Sequence, residues 1–218
     1  MEPSGSSAKQ AAAHLSGVIL AGGKGSRFGR DKSRMELAGK RVLGHLGEVL
    51  RRFPFERLAL ITASGKGEGA PEDFVTLTDD QEGLGPIGGI TTALRRLPGG
   101  ILVTACDMPL VSVPVIEWLL SEYDPRAGAI IPRHSAGIEP LVGIYGKGLL
   151  PRLEEAIRSG RYALHFVLED SQVRFVKVPE RFSAEREFAN INTREDYERV
   201  LKLMGSLRPG PNPAKSNS

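Results

Sequence analysis

The sequence predicts an α/β protein: a three-layer fold in which a mostly parallel sheet carries helices on both faces. Three observations predict it. Short apolar runs alternate with longer amphipathic segments from one end of the chain to the other. The strongest run, Ile101 to Ala105, is continuously apolar, as in strands covered on both sides. The segment before it opens on Pro86 and closes on Pro98-Gly99-Gly100, the punctuation of a helix.

Taken in order, residues 1–15 are small and polar, with Ala11 to Ala13 the one apolar patch, and read as a disordered N-terminal segment. Gly17 to Leu20 is a strand that breaks into glycines. Val42 to Arg52 has helical spacing, with Val42, Leu46, Val49 and Leu50 on one side. Leu58 to Thr62 and Phe74 to Thr78 are strands, Ile87 to Leu97 a helix, and Ile101 to Ala105 a buried strand ending at Cys106-Asp107. Pro114 starts the helix that carries Val115 to Tyr123. Ala129 to Ile131, Leu141 to Tyr145 and Val173 to Val178 read as strands; Leu149 to Ile157 and Tyr162 to Leu168 read as helices. Thr193 to Met204 is a closing helix with Asn192 as its expected cap. Residues 16–204 therefore form a single domain, and residues 205–218, rich in Pro, Ser, Asn and Gly, a flexible tail. In such sheets ligands sit beyond the carboxyl ends of the strands. The loops after Leu20, Thr62, Thr78 and Ala105 are thus the expected site.

Composition narrows the function. The chain has 218 residues, 40% hydrophobic, enough for one full core. Lys and Arg number 29 against 26 Asp and Glu, and a net charge of +3 does not describe a nucleic-acid partner. No apolar run reaches membrane-spanning length, and the first residues lack the pattern of a secretion signal. The lone cysteine, Cys106, forms no internal disulfide, which fits a reducing cytoplasm. The histidines His14, His45, His134 and His165 lack metal-ligand spacing. His134, between Arg133 and Ser135, reads as a surface loop residue that could touch a substrate.

The first strand runs into Leu20-Ala21-Gly22-Gly23-Lys24-Gly25-Ser26-Arg27-Phe28-Gly29-Arg30-Asp31-Lys32. The dinucleotide fingerprint fails here, because Gly23, Gly25 and Gly29 are spaced one residue too far, and the P-loop pattern fails as well. The physics of an anion site remains. Glycines let backbone N–H groups approach phosphate oxygens. Lys24, Arg27, Arg30, Lys32, Arg34, Lys40 and Arg41 face only Asp31 and Glu36 in the same stretch. Charge density alone leaves open a solvated basic turn. Asp107, at the end of the most apolar strand, offers the single hard oxygen ligand that suits Mg²⁺, or else forms a turn or caps a helix.

L-A-G-G-x-G-x-R-F-G-x-D-K resembles the signature of the molybdenum cofactor guanylyltransferase family, within the sugar-phosphate type of nucleotidyltransferases. Cys106-Asp107-Met108-Pro109 resembles that family's metal motif. Gly85-Pro86-Ile87-Gly88-Gly89, Ile138 to Tyr145 and Asn190-Ile191-Asn192-Thr193 resemble its later segments. The resemblance spans roughly residues 16 to 204 and implies a Rossmann-like nucleotidyltransferase fold. It implies that Leu20, Ala21, Gly22 and Gly23 bind the nucleotide, that Arg27 meets the pyrophosphate, and that Lys32 lies near the reacting phosphorus. It also implies Asp107 as the Mg²⁺ ligand and one nucleotide-binding Asp, aligned with Asp79 rather than its neighbour Asp80. Asn192 is a cap or a ligand, and Asn190 is left equally open. Thr62-Ala63-Ser64 departs from a nucleotide-contacting Asn that members often carry there.

The activity so implied is transfer of GMP from GTP to the phosphate of molybdopterin, metal-loaded or not, with release of pyrophosphate. GTP and molybdopterin are the implied partners, with molybdoenzyme apoproteins or their chaperones as recipients of the product. A cytidylyltransferase acting on molybdopterin or on a small sugar or polyol phosphate is the alternative. A non-catalytic nucleotide- or cofactor-binding partner is another, and it expects the loss of Arg27, Lys32 or Asp107, all of which are present.

Overall fold

A computed structural model describes residues 5–21, 35–63, 70–81, 83–169 and 172–205. Ten strands and eight α-helices lie within them. The central strand β1 (Leu15–Leu20) is buried along its whole length and pairs in parallel with β4 (Arg57–Thr62) on one side and β6 (Gly100–Ala105) on the other. Burial on both faces explains why these strands read as continuous apolar runs rather than alternating ones. The sheet continues outward from β4 to β5 (Val75–Thr78), again parallel. Beyond β6 lies the antiparallel β9 (Gly143–Tyr145), then β7 (Ala129–His134), then β10 (Val173–Lys177), parallel to β7. The order is β10-β7-β9-β6-β1-β4-β5, with β8 (Gly137–Ile138) paired to β7.

Side chains of β1 divide by period two between two cores. Leu15 and Ile19 join one cluster with α2 (Val42–Leu50), α4 (Val113–Ser121) and Val200 of α8 (Arg194–Gly205). Val18 and Leu20 join the other, with α3 (Pro86–Arg96), α5 (Leu150–Arg158) and α6 (His165–Leu168). This is the expected three-layer arrangement.

Three local expectations are corrected, and one hairpin is added. Residues 5–12 are not loose: they form α1 (Gly5–Ala12), whose Ala8, Ala11 and Ala12 are buried and which packs beside α4. Alanines at helical spacing give a small flat face, and alanine costs least to hold in a helix. A hairpin of β2 (Glu36–Leu37) and β3 (Lys40–Arg41) precedes α2, turned by Ala38 and Gly39, both at positive φ. Its strands are too short to show a periodic pattern. Tyr162–Leu168 is helical only over α6. The cap of α8 is Thr193 rather than Asn192: the Thr193 hydroxyl accepts from Asp196 N–H, while the Asp196 carboxylate accepts from the backbone N–H groups of Asn192 and Thr193. That reciprocal pair is a capping box, and its acid is Asp196. It holds the Asp196 carboxyl below its usual range.

Candidate active site

Because β1, β4, β5 and β6 run in parallel, their carboxyl ends share one edge of the sheet. Leu20 lies opposite Ile61 and Ala105, and Thr62 lies opposite Thr78. The ladder extends one residue further at each end: Ala21 N–H donates to the Ile61 carbonyl (2.8 Å), Asp79 N–H to Thr62 (2.9 Å) and Cys106 N–H to Leu20 (3.0 Å). Leu20, Ala21, Asp79 and Asp107 are therefore brought to one edge, as expected. Gly22, Gly23, Arg27 and Lys32 lie outside the described residues.

Asp79 turns its carboxylate toward the start of α3. Oδ1 accepts from the Thr92 hydroxyl (3.0 Å) and from Gln81 N–H (3.3 Å). Oδ2 rests over Gly88, where a Cβ would fall 2.7 Å away. Burial pushes this carboxyl above its ordinary range, only partly offset by those hydrogen bonds. Asp80 instead points back along α3 to Arg95 (3.4 Å) and Arg96. Of the adjacent acids, Asp79 is the one left at the site. The Gly85-Pro86-Ile87-Gly88-Gly89 stretch shows why it needs glycine. Gly85 holds φ at +71°, Gly88 admits Asp79, and a Cβ on Gly89 would come 3.0 Å from Leu20 Cδ2. The helix thus starts pressed against the strand ends. Thr62, at the end of β4, was noted in the sequence only as a departure from an expected Asn. Its hydroxyl is buried and makes no hydrogen bond among the described residues.

Asp107 stands two residues past the end of β6, in a turn closed by Met108 N–H to the Ala105 carbonyl (3.0 Å). Cys106 beside it is a small buried core residue. The carbonyl of Asp107 accepts from Ile191 N–H (2.8 Å), which brings the Asn190-Ile191-Asn192 segment onto the end of the strand. Among the described residues no cluster of three or more His, Cys, Asp or Glu could hold a metal. A donor set of one carboxylate is compatible with Mg²⁺, which takes one or two carboxylates and completes its shell with substrate phosphates and water.

The second half of the edge holds a group the sequence did not reveal. His134, expected at the surface, is withdrawn from it. His134 Nε2 lies 2.8 Å from Glu139 Oε1, and the two side chains are 12% and 15% exposed. The His134 ring stacks on Phe188 at 5.6 Å and 4°. A hairpin turn with Gly137 at φ +144° folds Glu139 back onto the end of β7. Burial raises the Glu139 carboxyl above its usual range; the bond to His134 works against this, and the negative charge of Asp107 adds to it. A separate cavity, lined by His14, Tyr123, Arg126, Lys147 and Gln172, lies at the opposite, amino-terminal edge of the sheet. It holds none of the candidate site residues.

Residues 17–174 match the family model of the MobA-like NTP transferase domain. The chain is 33% identical over 191 residues to a protein of Thermococcus kodakarensis named "Probable molybdenum cofactor guanylyltransferase", covering 86% of this chain and 94% of that one. It is 32% identical over 195 residues to the "Molybdenum cofactor guanylyltransferase" of Syntrophotalea carbinolica, covering 84% and 89%. Among solved structures it resembles molybdopterin-guanine dinucleotide biosynthesis protein A of Archaeoglobus fulgidus. The TM-score is 0.75 at 29% identity, over 88% of this chain and all of that one. Among the described residues no helix is long and apolar enough to cross a membrane.

Proposed function

The chain belongs to the MobA-like NTP transferase domain family, and from that premise we propose that it transfers GMP from GTP to the terminal phosphate of molybdopterin in the cytoplasm. The observation that carries the reading is the shared strand edge. There a nucleotide-side carboxylate, Asp79, and a central one, Asp107, flank the end of β1, the strand that precedes the glycine-rich sequence.

The reaction is an in-line displacement. A phosphate oxygen of the acceptor forms a bond to the α-phosphorus. The bond from that phosphorus to the α,β-bridging oxygen breaks, and pyrophosphate leaves with the electron pair. The protein's task is to position and neutralise. Leu20 and Ala21, with Gly22 and Gly23 next in sequence, are assigned to binding the nucleotide. Arg27 offsets the charge of the departing pyrophosphate, and Lys32 the charge that develops at the α-phosphate. Asp79 orients the base: guanine offers two adjacent donors, N1–H and the 2-amino group, to an acceptor-only carboxylate. Thr92 and Gln81 fix that carboxylate in place. Asp107 would hold Mg²⁺, which when bound supplies a Lewis acid for the phosphate oxygens.

The test is pyrophosphate release from GTP, CTP and ATP, each with and without molybdopterin. Release that requires both GTP and molybdopterin is expected. Equal use of CTP would overturn the guanylyl assignment. Release without molybdopterin, or with a sugar or polyol phosphate in its place, would overturn the acceptor.

A further inference from the structure

Glu139 is an uncompensated carboxylate held out of water. Ala136 N–H donates to His134 Nδ1 (3.2 Å), so the ring proton of His134 sits on Nε2 and is donated to Glu139 Oε1. A histidine that accepts at one nitrogen and donates at the other is neutral. The pair is therefore a hydrogen bond and not a salt bridge, and the charged form of Glu139 has no other ion-pair partner among the described residues. Burying such a charge beside a second carboxylate, Asp107, costs stability. A carboxylate accepts at about four lone-pair positions. His134 fills one of them, and no other hydrogen bond to the Glu139 carboxylate is made among the described residues. Stacking on the buried ring of Phe188 fixes His134, and through it the carboxylate.

Position says what the spare acceptors face. The nucleotide occupies the edge over β1, β4 and β5, and the reacting phosphate lies by Asp107 at the end of β6. The remainder of the acceptor must extend the other way, over β9 and β7. β7 is two strands from β6, roughly 10 Å away at ordinary strand spacing. That span suits a fused-ring body joined to its phosphate through one short arm.

We propose that Glu139 recognises the ring end of the acceptor, accepting hydrogen bonds from an adjacent ring N–H and exocyclic amino group such as a pterin presents. The proposal rests on the pterin acceptor assigned above. Glu139 then does on the acceptor side what Asp79 does on the nucleotide side, since guanine and pterin carry the same donor pair.

The test compares the full chain and Glu139→Gln in two assays. One is turnover, read as separate KM values for molybdopterin and GTP. The other is equilibrium binding of pterin and of lumazine, which has a carbonyl where pterin has the amino group, followed by the fluorescence of the ring. The wild type is expected to favour pterin over lumazine by on the order of tenfold or more, since lumazine would leave a buried acceptor unpaired. Glu139→Gln should abolish that preference and raise the molybdopterin KM to a similar extent. Its GTP KM should not change, which also reports an intact fold. An unaltered pterin-to-lumazine ratio, or no preference in the wild type, overturns the proposal. So does a fall in kcat with an altered Mg²⁺ requirement and an unchanged acceptor KM, which would make Glu139 a positioning residue for Asp107. If the wild type does not use molybdopterin at all, the acceptor assignment itself fails. If it does and Glu139→Gln is indistinguishable from it, only the role of Glu139 fails.

Discussion

Gly88 and Asp79 are in such close contact that a single methyl group on the glycine would displace the carboxylate, since it would lie 2.7 Å from Oδ2. Gly88→Ala should therefore act as a displacement of Asp79 rather than as a helix defect. Alanine in place of glycine favours a helix by about 0.5–1 kcal/mol, which offsets part of the steric cost. The expected outcome is a melting temperature close to that of the wild type and a GTP KM raised about tenfold. An unchanged GTP KM would mean that the placement of Asp79 does not matter to the nucleotide.

Asp107→Ala should reduce turnover at least about 10²-fold, as when a key electrostatic stabiliser is lost. The fold should survive, because the backbone bond from Ile191 to the Asp107 carbonyl does not involve the side chain. Titrating Mg²⁺ against rate checks this. Near-normal activity at low Mg²⁺ would move the metal to another carboxylate.

Lys32 and Arg27 should separate kinetically. Lys32→Ala is expected to lower the rate at saturating GTP, because its charge matters most as the α-phosphate reacts. Arg27→Ala is expected to raise the GTP KM as well, since it meets the outer phosphates already in the ground state. A Lys32→Ala variant that changed only KM would remove its transition-state role.

Asp79 and Glu139 should each lower stability at the pH where they work. Both carboxyls are raised, chiefly by burial, so the fold favours their neutral forms. Their contribution to stability is then fullest below the unfolded carboxyl range near pH 4 and is lost as pH rises through the raised folded value. Asp79→Asn and Glu139→Gln keep the shape without the charge. Each should melt at or above the wild-type temperature at pH 8, with the gain disappearing near pH 4. Thermal melts at the two pH values check it; a lower melting temperature for both variants at pH 8 would contradict it.

The parts of the fold legible in the sequence were those whose burial leaves a dense apolar trace. β1, β6 and α3 fall within a residue or two of their expected bounds, because each is enclosed by neighbours along its length. α1 was missed because its buried face is made of Ala8, Ala11 and Ala12, too small to stand out from a polar segment. At α8 two cap-competent residues adjoin, and the choice between Asn192 and Thr193 was settled by which acid reaches back, Asp196. The placement of Leu20, Ala21, Asp79 and Asp107 at one sheet edge was legible because each lies at or just past the end of a strand. The His134–Glu139 pair was not, because it exists only once the Gly137 turn folds one strand back on the other. The available signal was a histidine and an acid on either side of a glycine turn, between otherwise apolar strands.

β9 runs against both of its neighbours, and so marks a seam. Everything assigned to the donor nucleotide comes from the chain up to Asp107, while the pair assigned to the acceptor comes after β7 begins at Ala129. On those assignments the two specificities fall in separate stretches of the chain. Residues 129–192 amount to a cassette. A graft from a relative with another acceptor would have to match the ladder in which Val103 lies opposite Gly143 and Ile101 opposite Tyr145, the bond from Ile191 N–H to the Asp107 carbonyl, the bond from Ser112 N–H to the Glu187 carboxylate, and the packing of α5 on α3 with its Arg95–Glu154 ion pair.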